Sequence, residues 1–152
     1  MVDVRVITAE EAPLAARLLD DFNREYDEPS PGPEWLAEHL ATLVEGDDTV
    51  VLVAGEADGV GVLRLRRSLW GPALEAYLAE LYVVPSLRGQ GIGRTLLEAC
   101  MATARERGAD YMDLGTSEDD VAARKLYESA GFDRTEGRPD GALSFYYERT
   151  LD

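Results

Sequence analysis

Between Leu74 and Gly108 the chain carries its most restrictive pattern. An apolar run reaches Val84, Pro85 breaks it, and Arg88-Gly89-Gln90-Gly91-Ile92-Gly93 follows. Then comes a stretch with Leu96, Leu97, Cys100, Met101 and Ala104 at helical spacing. The run reads as a strand over about 74–84. The spacing after the loop predicts a helix from about Gly91 to Arg107, stopped by Gly108. A strand that passes into a helix through three glycines gives those glycines a physical task. The first helical turn has N–H groups with no internal partner and a partial positive charge. An anion placed there accepts several backbone hydrogen bonds, and glycines remove the Cβ atoms that would keep it away. Arg88 and Arg94 bracket the loop and can add charge-assisted contacts. Residues 88–94 are therefore the candidate cradle for a pyrophosphate.

Two other phosphate loops fit less well. A P-loop needs G-x-x-x-x-G-K followed by Ser or Thr. Here Arg88 stands five before Gly93, and Arg94-Thr95 follows it. A dinucleotide fingerprint needs G-x-G-x-x-G and an acid about 20 residues on. Asp113 meets the second condition, but Arg94 occupies the slot of the third glycine and the short chain does not repeat the mononucleotide half. A turn with only a structural role is the remaining alternative.

The rest of the chain supplies elements around this unit. Val2, Val4 and Val6 alternate with Asp3 and Arg5, which reads as a half-buried strand over 2–7. Thr8 and Glu11 match a capping box. Leu14, Ala15, Leu18, Leu19, Phe22 and Tyr26 then follow at helical spacing until Pro29, Pro31 and Pro33 end the pattern. Trp35, Leu36, His39, Leu40, Leu43 and Val44 mark a second helix. Strands are expected over 49–55, from Val60 to about Arg67 and over 109–115, with Asp58-Gly59 as the turn between the first two. A helix is expected from about Asp119 to Ala130, and a last strand at about 142–149. Strand, two helices, three strands, helix, strand, helix, strand describes a mixed α/β sheet with helices packed on it.

Composition narrows the partners. At 152 residues one domain over 1–152 is expected, with a core that needs neither disulfide nor metal. No apolar run approaches the ~20 residues of a membrane span, and residues 1–5 lack a signal-peptide pattern. A single cysteine excludes an internal disulfide and fits a reducing cytoplasm. The net charge of −15 argues against nucleic acid and anionic membrane as partners. It permits a cationic substrate, or it serves solubility alone.

The loop resembles a known family. The central signature of the GNAT superfamily of N-acetyltransferases is Arg or Gln, then x-x-G-x, then Gly or Ala, after a strand; Arg88-Gly89-Gln90-Gly91-Ile92-Gly93 matches it. Glu80-Leu81-Tyr82-Val83-Val84-Pro85 looks like the strand that leads in. A second block, Asp120 to Phe132, looks like the family's N-x-x-A-x-x, then Leu or Phe, Y-x-x-x-G-F. Both stand in the family's order. The resemblance implies a mixed sheet of about six to seven strands with about four helices. It implies acetyl-coenzyme A as cosubstrate and no metal, and it leaves a homodimer open. It also implies that Leu81, Tyr82 and Val83 offer backbone groups to the acetyl and pantetheine arm, while Arg88, Gly89, Gln90, Gly91, Ile92, Gly93 and Arg94 hold the pyrophosphate. Asp120 stands where the family often has Asn; ionised Asp only accepts hydrogen bonds, so a helix cap is the alternative for it.

Acetyl transfer to an amine needs a base for the amine, donors for the developing oxyanion and a proton for the leaving thiolate. Tyr127 is the candidate donor, since the family's Tyr at this place points at the coenzyme sulfur; a core Tyr is the alternative. Glu80 is the candidate base, directly or through a water. It interrupts an apolar stretch, where a carboxylate is costly without a purpose or a partner. The alternative is an ion pair with Arg64 or Arg66. Period-two geometry puts Glu80 on the face of Tyr82 and Val84 unless a bulge intervenes. His39 reads as a partly buried structural residue and Cys100 as a buried, inert thiol rather than a covalent acetyl carrier. No His/Cys cluster has metal spacing. The carboxylates and aromatics of 20–28 suit a small cationic amine, or a solvated helix end. Aminoglycosides, polyamines, amino-acid derivatives, protein amino termini and lysines remain as acceptors, and a non-catalytic acyl-coenzyme A sensor is the competing class.

Overall fold

The computed structural model describes residues 2–152. The chain divides into two compact units, one up to Leu114 and the other Gly115–Asp152. The first holds strands β1 (Val4–Val6), β2 (Thr49–Ala54), β3 (Gly59–Arg67), β4 (Leu74–Val83) and β5 (Ala109–Asp113), with helices α1 (Ala12–Glu25), α2 (Pro33–Glu45) and α3 (Ile92–Glu106). The five strands make one sheet in chain order, antiparallel from β1 to β4 and parallel between β4 and β5. Helix α3 is the crossover that a parallel pair requires. The second unit contains α4 (Val121–Ser129).

Side-chain alternation builds two core layers. Val51 and Val53 of β2, Val60 and Val62 of β3 and Tyr82 of β4 pack with Ala12, Ala15, Ala16, Leu18, Leu19 and Leu40 of α1 and α2. The intervening residues face α3: a Cβ on Gly61 would meet Cys100 and Leu96. With helices on both faces, Gly59–Leu63 is buried without a break, and polar alternation begins only at Arg64. That accounts for the unbroken apolar run Val60-Gly61-Val62-Leu63 in the sequence.

Local chemistry explains the helix ends. Pro13 and Pro33 lie in first turns, where a missing N–H costs nothing. Helix α1 stops at Glu25, and Asp27 then takes a left-handed φ of +53°. The capping box at Thr8 and Glu11 is not made. Thr8 has no side-chain cap, a 3-10 turn spans Ala9–Glu11, and the Glu11 carboxylate accepts from Arg5 Nε and Nη2 at 2.9 and 2.7 Å. A charged donor in reach outcompetes the neutral backbone N–H. The β2–β3 turn falls one residue earlier than expected, so Gly59 opens β3.

Among the described residues the sheet has five strands, fewer than the six to seven expected, and the last strand at 142–149 is not formed. A strand exists through its partner's N–H and C=O groups, not through its own side-chain pattern. In that segment Ser144 N–H donates to the Arg134 carbonyl at 2.7 Å, but no ladder follows, and Phe145, Tyr146 and Tyr147 stay exposed. No described helix is long and apolar enough to cross a membrane.

Candidate active site

Strand β4 has two different halves. Leu74–Tyr77 pairs with β3 on one side and β5 on the other; beyond Tyr77 the pairing with β5 ends. At the same point the register with β3 shifts. Leu63 lies opposite Leu78 and Val62 opposite Glu80, so Ala79 is the extra residue of a β-bulge. The stretch to Val83 is left with one backbone edge that no strand among the described residues covers. A free edge of this kind offers N–H and C=O groups to an extended ligand.

The loop continues from that edge. A 3-10 turn spans Pro85–Leu87, and Gly89 and Gly91 take φ of +79° and +85°. Gly91 is the N-cap of α3. At the helix start a bond runs from Thr95 N–H to the Gly91 carbonyl at 3.1 Å, so the N–H groups of Ile92 and Gly93 precede the intrahelical ladder. A Cβ on Gly89 or Gly91 would meet nothing within 4 Å. These glycines are needed for their dihedral angles and leave open space where the helix dipole is positive. The arrangement fits a pyrophosphate.

Arg88 does not project freely beside this loop. Its Nη1 and Nη2 donate to the two Glu25 carboxylate oxygens, each at 2.7 Å, and its Nε donates to the Val83 carbonyl at 2.9 Å. The guanidinium carbon lies 5.5 Å from the Tyr82 ring centroid, and Tyr82 stacks on Phe22 at 4.9 Å. The fork holds the Glu25 carboxyl below its ordinary range. Burial, with the Glu25 charge nearby, pushes the Tyr82 phenol up. The Val83 carbonyl is thus already used, leaving the remaining groups of the edge for a ligand.

Glu80, opposite Val62 and two residues from Tyr82, lies on the sheet face that carries α1 and α2. It has no ion pair among the described residues. Arg66 pairs instead with Glu75 at 2.8 Å and reaches Asp113 at 3.8 Å, and Arg64 is exposed. Burial alone raises the Glu80 pKa. The bulge does not move Glu80 to the other face; it marks the point where β4 leaves β5.

In the second unit, Asp120 caps α4: its Oδ1 accepts from Ala123 N–H at 3.1 Å. Tyr127 is half-buried on α4, with its ring edge-on to Phe132 at 6.1 Å.

Of the 20–28 carboxylates, two serve the fold. Asp20, 5% exposed, accepts from Ser30 Oγ at 2.5 Å and Arg24 Nε at 2.7 Å, which hold its carboxyl low. Glu25 binds Arg88. Asp21, Asp27 and Glu28 are exposed, as is Tyr26. His39 is exposed rather than partly buried and stacks on Trp35 at 4.6 Å. Cys100 is fully buried, and desolvation pushes its thiol up to about 12. No metal-binding group of His, Cys, Asp and Glu is present among the described residues. The Asp20–Arg24 pair was legible as an i,i+4 spacing. The Glu25–Arg88 pair joins residues 63 apart and left no local signal.

The fold, with a strand that runs through a glycine loop into a helix, can be compared with known proteins. The family model for the acetyltransferase (GNAT) family matches residues 15–132. A crystal structure described as a candidate acetyltransferase from Arthrobacter sp. FB24 is 40% identical, covers 98% of this chain and 96% of its own, and superposes with a TM-score of 0.89. The chain belongs to the GNAT acetyltransferase family. A mycothiol acetyltransferase from Thermobispora bispora is 38% identical over 118 residues, 76% of this chain but 36% of the relative. The chain spans about a third or less of the length of the mycothiol acetyltransferases it matches. An aminoglycoside N(6')-acetyltransferase type 1 from Stenotrophomonas maltophilia is 30% identical over 107 residues, covering 66% of this chain and 70% of the relative.

Proposed function

We propose that this protein transfers the acetyl group of acetyl-coenzyme A to a primary amine of a small cationic acceptor, directly, in a ternary complex. The released edge of β4 carries the reading: a bulge at Ala79, an uncovered backbone edge up to Val83, and an αL-capped helix start beyond it. In this reading the edge at Leu81, Tyr82 and Val83 takes the pantetheine arm. Backbone N–H groups of residues 89–94 take the pyrophosphate, with Arg94 adding charge. Glu80 accepts the amine proton, directly or through a water, and Tyr127 returns a proton to the departing thiolate. The family match across 15–132 supports treating both units as parts of one functional domain. Asp120 belongs to the cap of α4 rather than to the coenzyme.

Net charge favours a cationic acceptor, and the exposed Asp21, Asp27 and Glu28 are the carboxylates left to meet it. The similarity to an aminoglycoside acetyltransferase makes an aminoglycoside the first acceptor to try. The test is thiol release from acetyl-coenzyme A with a panel of aminoglycosides, polyamines, amino-acid amides and peptides. Turnover with one class, lost in Tyr127→Phe while coenzyme binding persists, is the expected result. Tight coenzyme binding without turnover on any amine would identify a sensor instead.

A further inference from the structure

We infer that Glu25 is a positioning residue for the coenzyme loop: it locks Arg88 into a clamp that fixes the start of the loop to the end of α1. The inference rests on residues 89–94 holding the coenzyme. The sequence pattern suggests that Arg88 is itself a phosphate ligand. The geometry gives it different work. Three of its five N–H donors are spent inside the protein, two on a bidentate carboxylate fork and one on the Val83 carbonyl. Its backbone N–H donates to the Pro85 carbonyl at 3.4 Å. Its charge is balanced by Glu25, and its plane lies near a Tyr82 ring that is stacked on Phe22, three residues before Glu25 in α1.

The consequence is mechanical. Glu25 is the last residue of α1, and Arg88 is the last residue before Gly89. The loop backbone contains two left-handed glycines and has little intrinsic stiffness. A bidentate, charge-assisted pair at its entrance supplies the order that backbone phosphate recognition needs. Because α1 leads directly into the 26–32 connection beside the remaining carboxylates, the same clamp sets the donor loop and the acceptor-side helix in register.

The test is calorimetric binding of coenzyme A to wild type, Glu25→Gln, Arg88→Lys, Arg88→Ala and the Glu25→Gln/Arg88→Ala double variant, with melting temperatures in parallel. The clamp predicts that each single variant weakens coenzyme A by a similar factor, about tenfold, and that the double variant is no worse than Arg88→Ala. Arg88→Lys should not restore binding, because an ammonium cannot make the fork. In turnover, Glu25→Gln should raise KM for acetyl-coenzyme A with kcat nearly unchanged, the mark of lost ground-state binding rather than lost chemistry. Unchanged or tighter binding in Glu25→Gln, with a large loss in Arg88→Ala that Arg88→Lys partly rescues, would overturn the clamp and make Arg88 a direct phosphate ligand that Glu25 restrains. Wild type that binds no coenzyme A overturns the coenzyme reading itself, and the clamp with it.

Discussion

Two Gly-x-Gly pairs in this chain look alike in sequence and do opposite things. Gly59 and Gly61 open β3; Gly89 and Gly91 form the loop before α3. At Gly59 an added Cβ would sit 2.8 Å from the Tyr82 carbonyl oxygen, and at Gly61 it would sit 2.7 Å from Cys100 Sγ. Both have ordinary strand dihedrals. They are glycine because β4 and α3 approach too closely for a side chain. At Gly89 and Gly91 the reverse holds: nothing lies within 4 Å, and the positive φ alone demands glycine. The first pair is a packing device and the second a conformational one. Substitution at the first should therefore register in stability, and at the second in ligand binding.

Gly59→Ala should have the largest effect on stability. The obstacle is a backbone oxygen in a paired strand, which can move only by distorting the ladder, and the expected loss is about 3 kcal/mol or more by urea denaturation. A loss below about 1 kcal/mol would mean that the close approach of β3 and β4 is soft, and the packing half of the comparison would fail. Gly61→Ala should cost less, roughly 1–2 kcal/mol, because its obstacle is a thiol on a helix. Cys100→Ala in the same chain should return part of that loss, since it removes the atom in the way. Additive losses in the double variant would break the assignment.

Gly91→Ala should cost only about 1 kcal/mol of stability, the strain of an L-residue in the left-handed region. In the proposed coenzyme site it should weaken coenzyme A by a larger factor, because a shifted N-cap turns the N–H groups of Ile92 and Gly93 away from the anion. Stability and binding losses of equal size would merge the two glycine pairs into one class and remove the reason for treating the loop as a site.

The contrast also shows what sequence patterns carry. Helical spacing located α1, α2 and α3, alternation located β1, and apolar runs bounded by turn or stop residues located the other elements, because burial on one or both faces leaves a direct mark on residue order. The glycine loop was legible because strand, Pro85, glycines and helix are contiguous. The bulge at Ala79 was not, since Leu78, Ala79 and Glu80 look like any strand and the shift is visible only against Val62 and Leu63. The Glu25–Arg88 fork and the Gly61–Cys100 contact were not, because each depends on two elements meeting in space. The 142–149 segment has the side-chain pattern of a strand, but the pattern alone supplies no partner.

Glu80→Gln should have the smallest effect on stability and the opposite sign. Burial raises the Glu80 carboxyl pKa, with no cation to offset it. The folded protein therefore holds a proton at pH values where the unfolded chain has lost it, and stability falls as pH rises from the unfolded to the folded pKa. At neutral pH the ionised carboxylate is a net cost, so Glu80→Gln should melt slightly higher than wild type; below the unfolded carboxyl pKa the two should coincide. If Glu80 is the base, kcat/KM in wild type should decline as pH drops through a value above the ordinary 4.5. In Glu80→Gln that limb should vanish and the rate at neutral pH should fall about a hundredfold, with coenzyme affinity retained. A limb that survives the substitution, or a melting temperature that drops at neutral pH, would move the base elsewhere and make Glu80 a member of the packing class after all.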